Sequence, residues 1–175
     1  MEKLENLNLK QDINFLENPL WIPMQISNEE GFLWNDRDGY VYRAGYRAPD
    51  KIDAMLLFYL LLKSQKDNYK QTLKLSSYEI LKACGFTDAP WYYERLEESL
   101  KRWLSVAIEF KGTFYDGKEY HSIGFHILND YKIRKEDKQI FVIFNENFLL
   151  KIQESNFFKY INFQQYKAIK RPIAL

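Results

Sequence analysis

The chain has 175 residues, of which 46% are hydrophobic, 28% are charged and one is cysteine, and its formal net charge is +1. This composition excludes a wholly disordered chain and an intrachain disulfide. The longest apolar run, Ala54–Leu62, is much shorter than the roughly 20 residues of a membrane-spanning helix. Residues 1–11 are charged and lack the apolar core of a signal peptide, so the sequence predicts a soluble, cytoplasmic protein without membrane partners.

The first 49 residues predict an N-terminal arm followed by a β-hairpin. Residues 1–18 are polar and predict a partly mobile arm, and the prolines at positions 19 and 23 favour an extended segment over 18–23. Apolar residues at 32–34 and 40–42 flank a polar turn that ends in Asp38-Gly39, which is typical of a hairpin.

A first helix is predicted to begin at Asp50 and to run through residues 52–63. Asp53 lies in its first turn, where a negative charge is favourable for the helix dipole. The stretch Ala54–Leu62 is apolar on every side, and a helix of that kind belongs at the centre of a domain.

A short strand and two further helices follow. Residues 72–75 predict the strand, and the sequence Ser76-x-x-Glu79 is a capping box that begins a second helix, which ends before Gly85. Asp88 is predicted to cap a third helix, with a proline in its first turn and its end at Leu104. This order of elements is that of a helix-turn-helix.

The segment after the third helix predicts a β-hairpin, which would form a wing. Apolar residues alternate at 106, 108 and 110 and again at 123, 125 and 127, and Asp116-Gly117 between them is a favoured hairpin turn. Centring the hairpin on that turn places Phe110 opposite Ile123, and Ile108 opposite Phe125. A slip of one residue would destroy this match, so the register is well specified.

The remaining residues predict a continuation of the sheet and a C-terminal extension. Tyr131 and Ile133 extend the alternation, residues 140–144 return as a third strand, and a short helix covers 148–152. Residues 157–163 are predicted to be extended and 164–170 helical, and 171–175 resemble the start of a helix in a truncated protein. The predicted fold is α+β, a winged helix spanning 50–145, preceded by the arm and hairpin (1–49) and followed by the extension (146–175).

One face of the third helix is a candidate DNA-contacting surface. On a helical wheel of about 100° per residue, the face opposite the apolar one carries arginine, lysine, glutamate and Trp91. In a helix-turn-helix this face enters the major groove, where arginine reads guanine or binds phosphate. Glu94 and Glu98 are consistent with hydrogen bonds accepted from cytosine amino groups and equally with an ordinary solvated surface. Contact with protein is the main alternative role for this helix.

The full set of predicted DNA-contacting residues spans both helices and the hairpin. Its members are Tyr78 and Lys82 on the second helix, Trp91, Arg95, Lys101 and Arg102 on the third helix, and Lys111, Thr113 and Lys118 on the hairpin. Lysines at a hairpin tip suit contacts with a phosphate backbone. They are equally typical of a hairpin tip that is exposed to solvent and binds nothing. Lys132, Arg134, Lys135 and Lys138 alternate with acidic residues, and we interpret them as a solvated turn rather than a nucleic-acid site.

The sequence offers no pattern typical of an enzyme. The two histidines, His121 and His126, are five positions apart on one predicted strand and therefore point to opposite faces. Neither a Cys/His cluster nor a phosphate-binding Gly-x-x-x-x-Gly-Lys loop occurs in the sequence. We therefore expect no catalytic residues, no metal and no cofactor.

Three segments resemble the plasmid replication initiator A proteins. Residues 76–85, Ser-Ser-Tyr-Glu-Ile-Leu-Lys-Ala-Cys-Gly, look like the second helix of that family, and residues 92–102 resemble its third helix, Tyr-x-Arg-Leu followed by Leu-x-Arg. Residues 170–175 look like its entry into the next helical region. The resemblance covers roughly residues 50–175.

This resemblance implies a bacterial initiator that binds repeated sites in double-stranded DNA at a plasmid origin and helps to open it. A homodimer and host replication proteins are the further partners that it suggests. Members commonly hold two winged helices, and in related initiators the first can serve protein contact while the second reads DNA. Two alternatives therefore stay open, a winged-helix transcription regulator and a winged helix used for dimerisation or partner docking without DNA contact.

Overall fold

The protein is described by a computed structural model that covers residues 8–17, 19–21, 33–37, 40–111 and 122–168, with the backbone alone for 33–37. In chain order the elements are β1 (Asn8–Asp12), α1 (Ile13–Glu17), β2 (Leu33–Arg37), β3 (Tyr40–Ala44), α2 (Lys51–Lys66), β4 (Thr72–Ser76), α3 (Ser77–Ala83), α4 (Pro90–Ser105), β5 (Val106–Phe110), β6 (Ile123–His126), β7 (Leu128–Ile133), β8 (Gln139–Phe144), α5 (Glu146–Gln153), β9 (Phe158–Asn162) and α6 (Phe163–Ala168). Across these ranges, no helix combines the length and apolar character needed to cross a membrane.

Helix α2 lies at the centre of the fold, as its all-round apolar sequence predicts. Asp50 and Asp53 form a reciprocal capping box at its start, in which each carboxylate accepts a hydrogen bond from the backbone of the other residue. Every residue of Ala54–Leu62 is buried. Because the helix has no solvent-facing side over this stretch, strands and helices must cover it all round.

The described strands form three antiparallel sheets around this helix. The first has two strands in the order β1-β9, the second four strands in the order β2-β3-β5-β6, and the third three strands in the order β4-β8-β7. Helices α3 and α4 pack beside the third sheet and contact α2. The described fold is therefore mixed α and β, with all strand pairing antiparallel.

The turn between α3 and α4 follows the sequence prediction closely, with one correction at a cap. Ser76 caps α3 by accepting a hydrogen bond from the backbone of Glu79, and Gly85 ends the helix with φ of +79°, a conformation that disfavours any residue with a Cβ. The predicted cap at Asp88 is wrong, because Ala89 occupies the N-cap position of α4 without a side-chain hydrogen bond. Asp88 instead accepts a hydrogen bond from the hydroxyl of Tyr93 at 2.5 Å.

The hairpin after α4 has the register that its sequence predicts, and it belongs to the second sheet. Phe110 pairs with Ile123 and Ile108 with Phe125. Strand β5 also pairs with β3, so that this hairpin extends the N-terminal hairpin and does not meet β4. The turn itself, Asp116-Gly117, lies outside the described residues, as do Asp38-Gly39, the proline at 23 and residues 169–175.

The strand next to β4 comes from the hairpin β7–β8. Ile127 and Leu128 are adjacent and both buried, and two successive residues of one regular strand cannot face the same side of a sheet. The chain therefore leaves the second sheet at this point and enters the third. The expectation that β6, β7 and β8 continue one sheet is wrong for this reason.

The N-terminal residues take part in the core, which corrects the prediction of a polar arm. Strand β1 pairs with β9 along its whole length, and Leu9 and Phe15 are buried in the same hydrophobic cluster as α2. Asp12 accepts a hydrogen bond at 2.6 Å from Ser155, which lies between α5 and β9. The two ends of the described chain are thus joined to each other.

Candidate nucleic-acid interface

A buried network of ion pairs links the start of α2 to α4. Arg95 Nη1 lies 2.7 Å from one carboxylate oxygen of Asp53, and Arg102 Nη1 lies 2.9 Å from the other. Asp50 accepts from Arg95 at 3.0 Å, and the hydroxyl of Ser99 donates to Asp53. The side chains of Asp53 and Arg102 are 0% and 4% exposed, so these charges meet one another and not the solvent.

The network shifts the pKa values of its two carboxyl groups in opposite directions. Burial alone would raise the pKa of Asp53, but the hydrogen bond and charge of Arg95, together with the charge of Arg102, outweigh it and lower that pKa. The pKa of Asp50 is raised by burial and by the neighbouring charge of Asp53. Asp53 therefore holds the negative charge that both arginines neutralise.

These contacts correct the prediction that Arg95 and Arg102 reach into a DNA groove. Each guanidinium group is bound to carboxylates inside the protein, and Arg102 also donates from Nε to Glu98 at 3.3 Å. A helical wheel assigns charged residues to the outside, and it fails here because the facing aspartates on α2 are 42 or more positions away in the sequence. The two arginines hold α4 against α2.

The outward face of α4 carries a different set of side chains. Its exposed residues are Pro90, Trp91, Glu94, Glu97, Lys101 and Leu104. Trp91 is 57% exposed and packs edge-on against Tyr92, which in turn stacks on Phe86 with ring centroids 5.0 Å apart. Lys101 lies with its Nζ 5.5 Å from the ring centroid of Tyr46. Trp91 and Lys101 are thus accessible, as predicted, but glutamates lie between them.

Helix α3 presents the other two predicted residues on its accessible side. Tyr78 is 53% exposed and Lys82 is exposed one turn further along. Ser77, between the cap and Tyr78, donates a hydrogen bond of 2.6 Å from its hydroxyl to the backbone oxygen of Lys138. That contact holds the start of α3 against the turn between β7 and β8.

An open surface cleft of about 420 Å³ lies where α3, α4 and the β7–β8 turn meet. It is lined by Ser76, Ser77, Tyr78, Pro90, Tyr93, Asp137 and Lys138. The three elements that form it are the first turn of α3, the first turn of α4 and the turn between β7 and β8. We call this surface the three-element surface.

The β7–β8 turn brings Lys138 to the three-element surface, and further basic side chains lie close to it in the sequence. Lys132, Arg134, Lys135 and Lys138 are all exposed. Arg134 donates two hydrogen bonds to Asp137, at 2.9 and 2.5 Å, and hydrogen bonding to Arg134 lowers the pKa of Asp137 to about 2. Sequence reasoning assigned these residues to a solvated turn, because it could not foresee that β8 pairs with β4 and carries the turn to the start of α3.

The predicted hairpin contacts lie elsewhere. Lys111 is 63% exposed, and its Nζ lies 3.6 Å from a carboxylate oxygen of Glu109 on the second sheet. Thr113 and Lys118 fall outside the described residues, as does His121. His126 is bound through Nδ1 to the backbone oxygen of Val106 at 2.9 Å. Within the described ranges, no three His, Cys, Asp or Glu side chains come together as a metal site.

Comparison with known proteins relates this architecture to replication initiators. Residues 40–175 match the family described as "Initiator Replication protein, WH1". Among solved structures, the selenomethionine form of domains 2 and 3 of RctB matches with a TM-score of 0.58 at 13% identity, covering 79% of this chain and 59% of that one. A second structure, RctB domains 2-3 (residues 155–483), matches with a TM-score of 0.54 at 13% identity, covering 79% and 58%.

The two RctB structures establish a shared fold, and the chain spans about three-fifths of the length of each. No curated protein sequence matches it. The family description names a first winged-helix domain. The structure agrees with it, because helix α2, strand β4 and helices α3 and α4 occur in that order and the hairpin β7–β8 pairs with β4.

Proposed function

Because the chain belongs to the family of replication initiator proteins, as the match over residues 40–175 establishes, we propose that it binds double-stranded DNA at an origin and helps to open it. Its action is binding and deformation of DNA without covalent chemistry. We further propose that it works in the bacterial cytoplasm, on a plasmid origin with repeated sites. A homodimer and host replication proteins are its proposed protein partners.

One observation carries this proposal: the starts of α3 and α4 and the β7–β8 turn meet at the three-element surface. In helix-turn-helix proteins the first residues of the recognition helix approach the base edges. The exposed Trp91 occupies that position on α4. On α3, Tyr78 lines the three-element surface and Lys82 is exposed, and both side chains suit contacts with the phosphate backbone.

The β7–β8 hairpin is proposed as the wing, in place of β5–β6. Residues 132–138, from the end of β7 through the turn, carry four exposed basic side chains against two acidic ones, Glu136 and Asp137. One of the four, Arg134, is already paired with Asp137, which leaves Lys132, Lys135 and Lys138 as the candidates for phosphate contact. Arg95 and Arg102 hold the recognition helix in place from within.

Duplex binding at two salt concentrations tests the proposal. A labelled origin duplex is titrated with the 175-residue chain at about 50 and 200 mM salt, and anisotropy gives the affinity. Each neutralised phosphate contributes roughly 0.9 to the slope of log affinity against log salt, so three lysine contacts predict a slope near −3. Absence of binding at the lower salt concentration would contradict a DNA-contacting role for this chain.

A second candidate function, docking of a partner protein through α4, is favoured by the acidic residues on its outward face. Glu94 and Glu97 are exposed there beside Trp91, and carboxylates repel a phosphate backbone. In this case Glu94→Lys would weaken self-association and leave duplex binding unchanged, whereas if α4 faces DNA the same change would strengthen duplex binding. Sizing chromatography and the same duplex titration distinguish the two candidates.

A further inference from the structure

A second accessible aromatic surface lies on β1 and β9, on a different sheet from the one that carries the three-element surface. Phe158 and Tyr160 of β9 are 38% and 66% exposed, and their ring centroids are 5.4 Å apart in an edge-to-face arrangement. Residues two apart on a strand face the same side, so both rings belong to one face of the ribbon. We call this surface the β1–β9 face.

A lysine lies on the same face, beside the rings. The register pairs Lys10 with Tyr160, and Lys10 Nζ lies 4.3 Å from the centroid of the Phe158 ring. Its Nζ also donates to the backbone oxygen of Gln153 at 3.0 Å, which fixes the ammonium group at the edge of the aromatic pair. A cation is thus held next to an exposed tyrosine.

The backbone below these side chains is well supported. The backbone N–H of Lys10 donates to the side-chain oxygen of Gln65 and its carbonyl accepts from the side-chain nitrogen, both at 2.8 Å, which ties β1 to α2. On the other side of the ribbon, Leu9 is fully buried and Ile161 packs against the core. The rings are therefore exposed on a rigid support.

The charge of the surrounding sequence favours an anionic partner. From Ser155 to Leu175 the chain contains three lysines and one arginine, and no aspartate or glutamate. The nearest acid in the ribbon, Asp12, is 1% exposed and is bound to Ser155. The nearest acid before β9 is Glu154, which ends α5.

We infer that the β1–β9 face binds single-stranded nucleic acid, with an unpaired base stacked on Tyr160 and its phosphate next to Lys10. Aromatic rings beside cations are the arrangement by which proteins hold unpaired bases, and every base offers a π-face to such a ring. Bases within a duplex are stacked on one another, so this face selects single strands. This inference rests on the proposed function, because the opening of an origin is what would supply single-stranded DNA.

Binding of a fluorescent oligothymidine of about 15 nucleotides to the 175-residue chain tests this inference. We expect Tyr160→Ala to weaken the affinity by about tenfold or more, as loss of one stacked base does, whereas Tyr160→Phe keeps the ring and the affinity. Tyr160 is largely exposed, so the thermal unfolding midpoint should stay the same. Unchanged oligothymidine binding by Tyr160→Ala would overturn the inference.

Two further measurements distinguish nucleic-acid binding at the β1–β9 face from binding at the three-element surface and from a protein interface. Trp91→Ala should leave oligothymidine binding unchanged and weaken duplex binding, and Tyr160→Ala should do the reverse. Oligothymidine binding that depends on Tyr160 without any duplex binding would refute the proposed function and uphold the β1–β9 site. A dimer that Tyr160→Ala converts to a monomer, with oligothymidine binding unaltered, would identify a self-association surface and refute the inference.

Discussion

Arg102 on α4 and Asp53 on α2 form an ion pair with 2.9 Å between Nη1 and Oδ2, and their side chains are 4% and 0% exposed. A buried pair of this kind stabilises the fold weakly compared with an apolar pair, but removal of one partner leaves an uncompensated charge in the interior. The pair therefore fixes how the outward face of α4 is presented.

Truncation of this arginine is expected to destabilise the protein without touching a DNA contact. We expect Arg102→Ala to lower the free energy of unfolding by about 3–5 kcal/mol, because Asp53 then loses one of its two cations. Denaturation with urea measures the change. Lys101→Ala, one position away and exposed, is the matched control and should change stability by less than about 0.5 kcal/mol. A stable Arg102→Ala protein that had lost duplex binding would restore the groove-contact interpretation.

The lowered pKa of Asp53 predicts a stability contribution that disappears in acid. Because the folded-state pKa lies below the ordinary value of about 3.9, the contribution is complete above that pH and is lost as the pH falls through the folded-state pKa. The stability difference between the wild type and Asp53→Asn should accordingly shrink below about pH 4. A difference that stays constant from pH 7 to pH 2 would contradict the ionised state of Asp53.

A comparison of two lysines tests which hairpin makes the proposed contact with DNA. Lys135 lies on the β7–β8 turn and Lys111 directly follows β5, and both are exposed. We expect Lys135→Ala to weaken duplex binding and to reduce the salt slope by about one, since one phosphate contact is lost. Lys111→Ala is expected to leave both quantities unchanged, and the opposite outcome would identify β5–β6 as the wing.

The single cysteine should be unreactive in the folded protein. Cys84 is 4% exposed, and burial raises the pKa of its thiol to about 12 despite the nearby charge of Lys167. At pH 8 roughly one thiol in ten thousand is then ionised, and the thiolate is the reactive form. Titration with a disulfide reagent should label Cys84 only after denaturant is added. Rapid labelling in buffer alone would contradict the packing of α3 against α2.

Local signals in the sequence predict the individual elements well. The all-apolar run in α2, the cap at Ser76, the glycine stop at Gly85 and the pairing of Ile108 with Phe125 all follow from rules that act over a few residues. The same rules cannot say which hairpin meets β4, because that depends on partners 60 or more positions apart. The adjacent buried pair Ile127 and Leu128 is the one local signal of the change of sheet.

The candidate site is less predictable for the same reason. The sequence of α4 alone predicts that Arg95 and Arg102 contact a DNA groove. In the folded protein both arginines are paired with aspartates at the start of α2. Trp91, Tyr78 and Lys82 are exposed as expected, because no other part of the described structure covers these side chains. The basic β7–β8 turn was missed since alternating charges alone resemble a solvated loop.

The pairing of β1 with β9 has a practical consequence for N-terminal truncation of this protein. The family match begins at residue 40, yet Leu9 from β1 and Phe15 from α1 fill the interior next to α2. A truncated chain that starts at residue 40 would expose the apolar side of β9 and part of the apolar surface of α2. Such exposed apolar surface favours aggregation during expression. The minimal stable unit for biochemistry must keep its first strand.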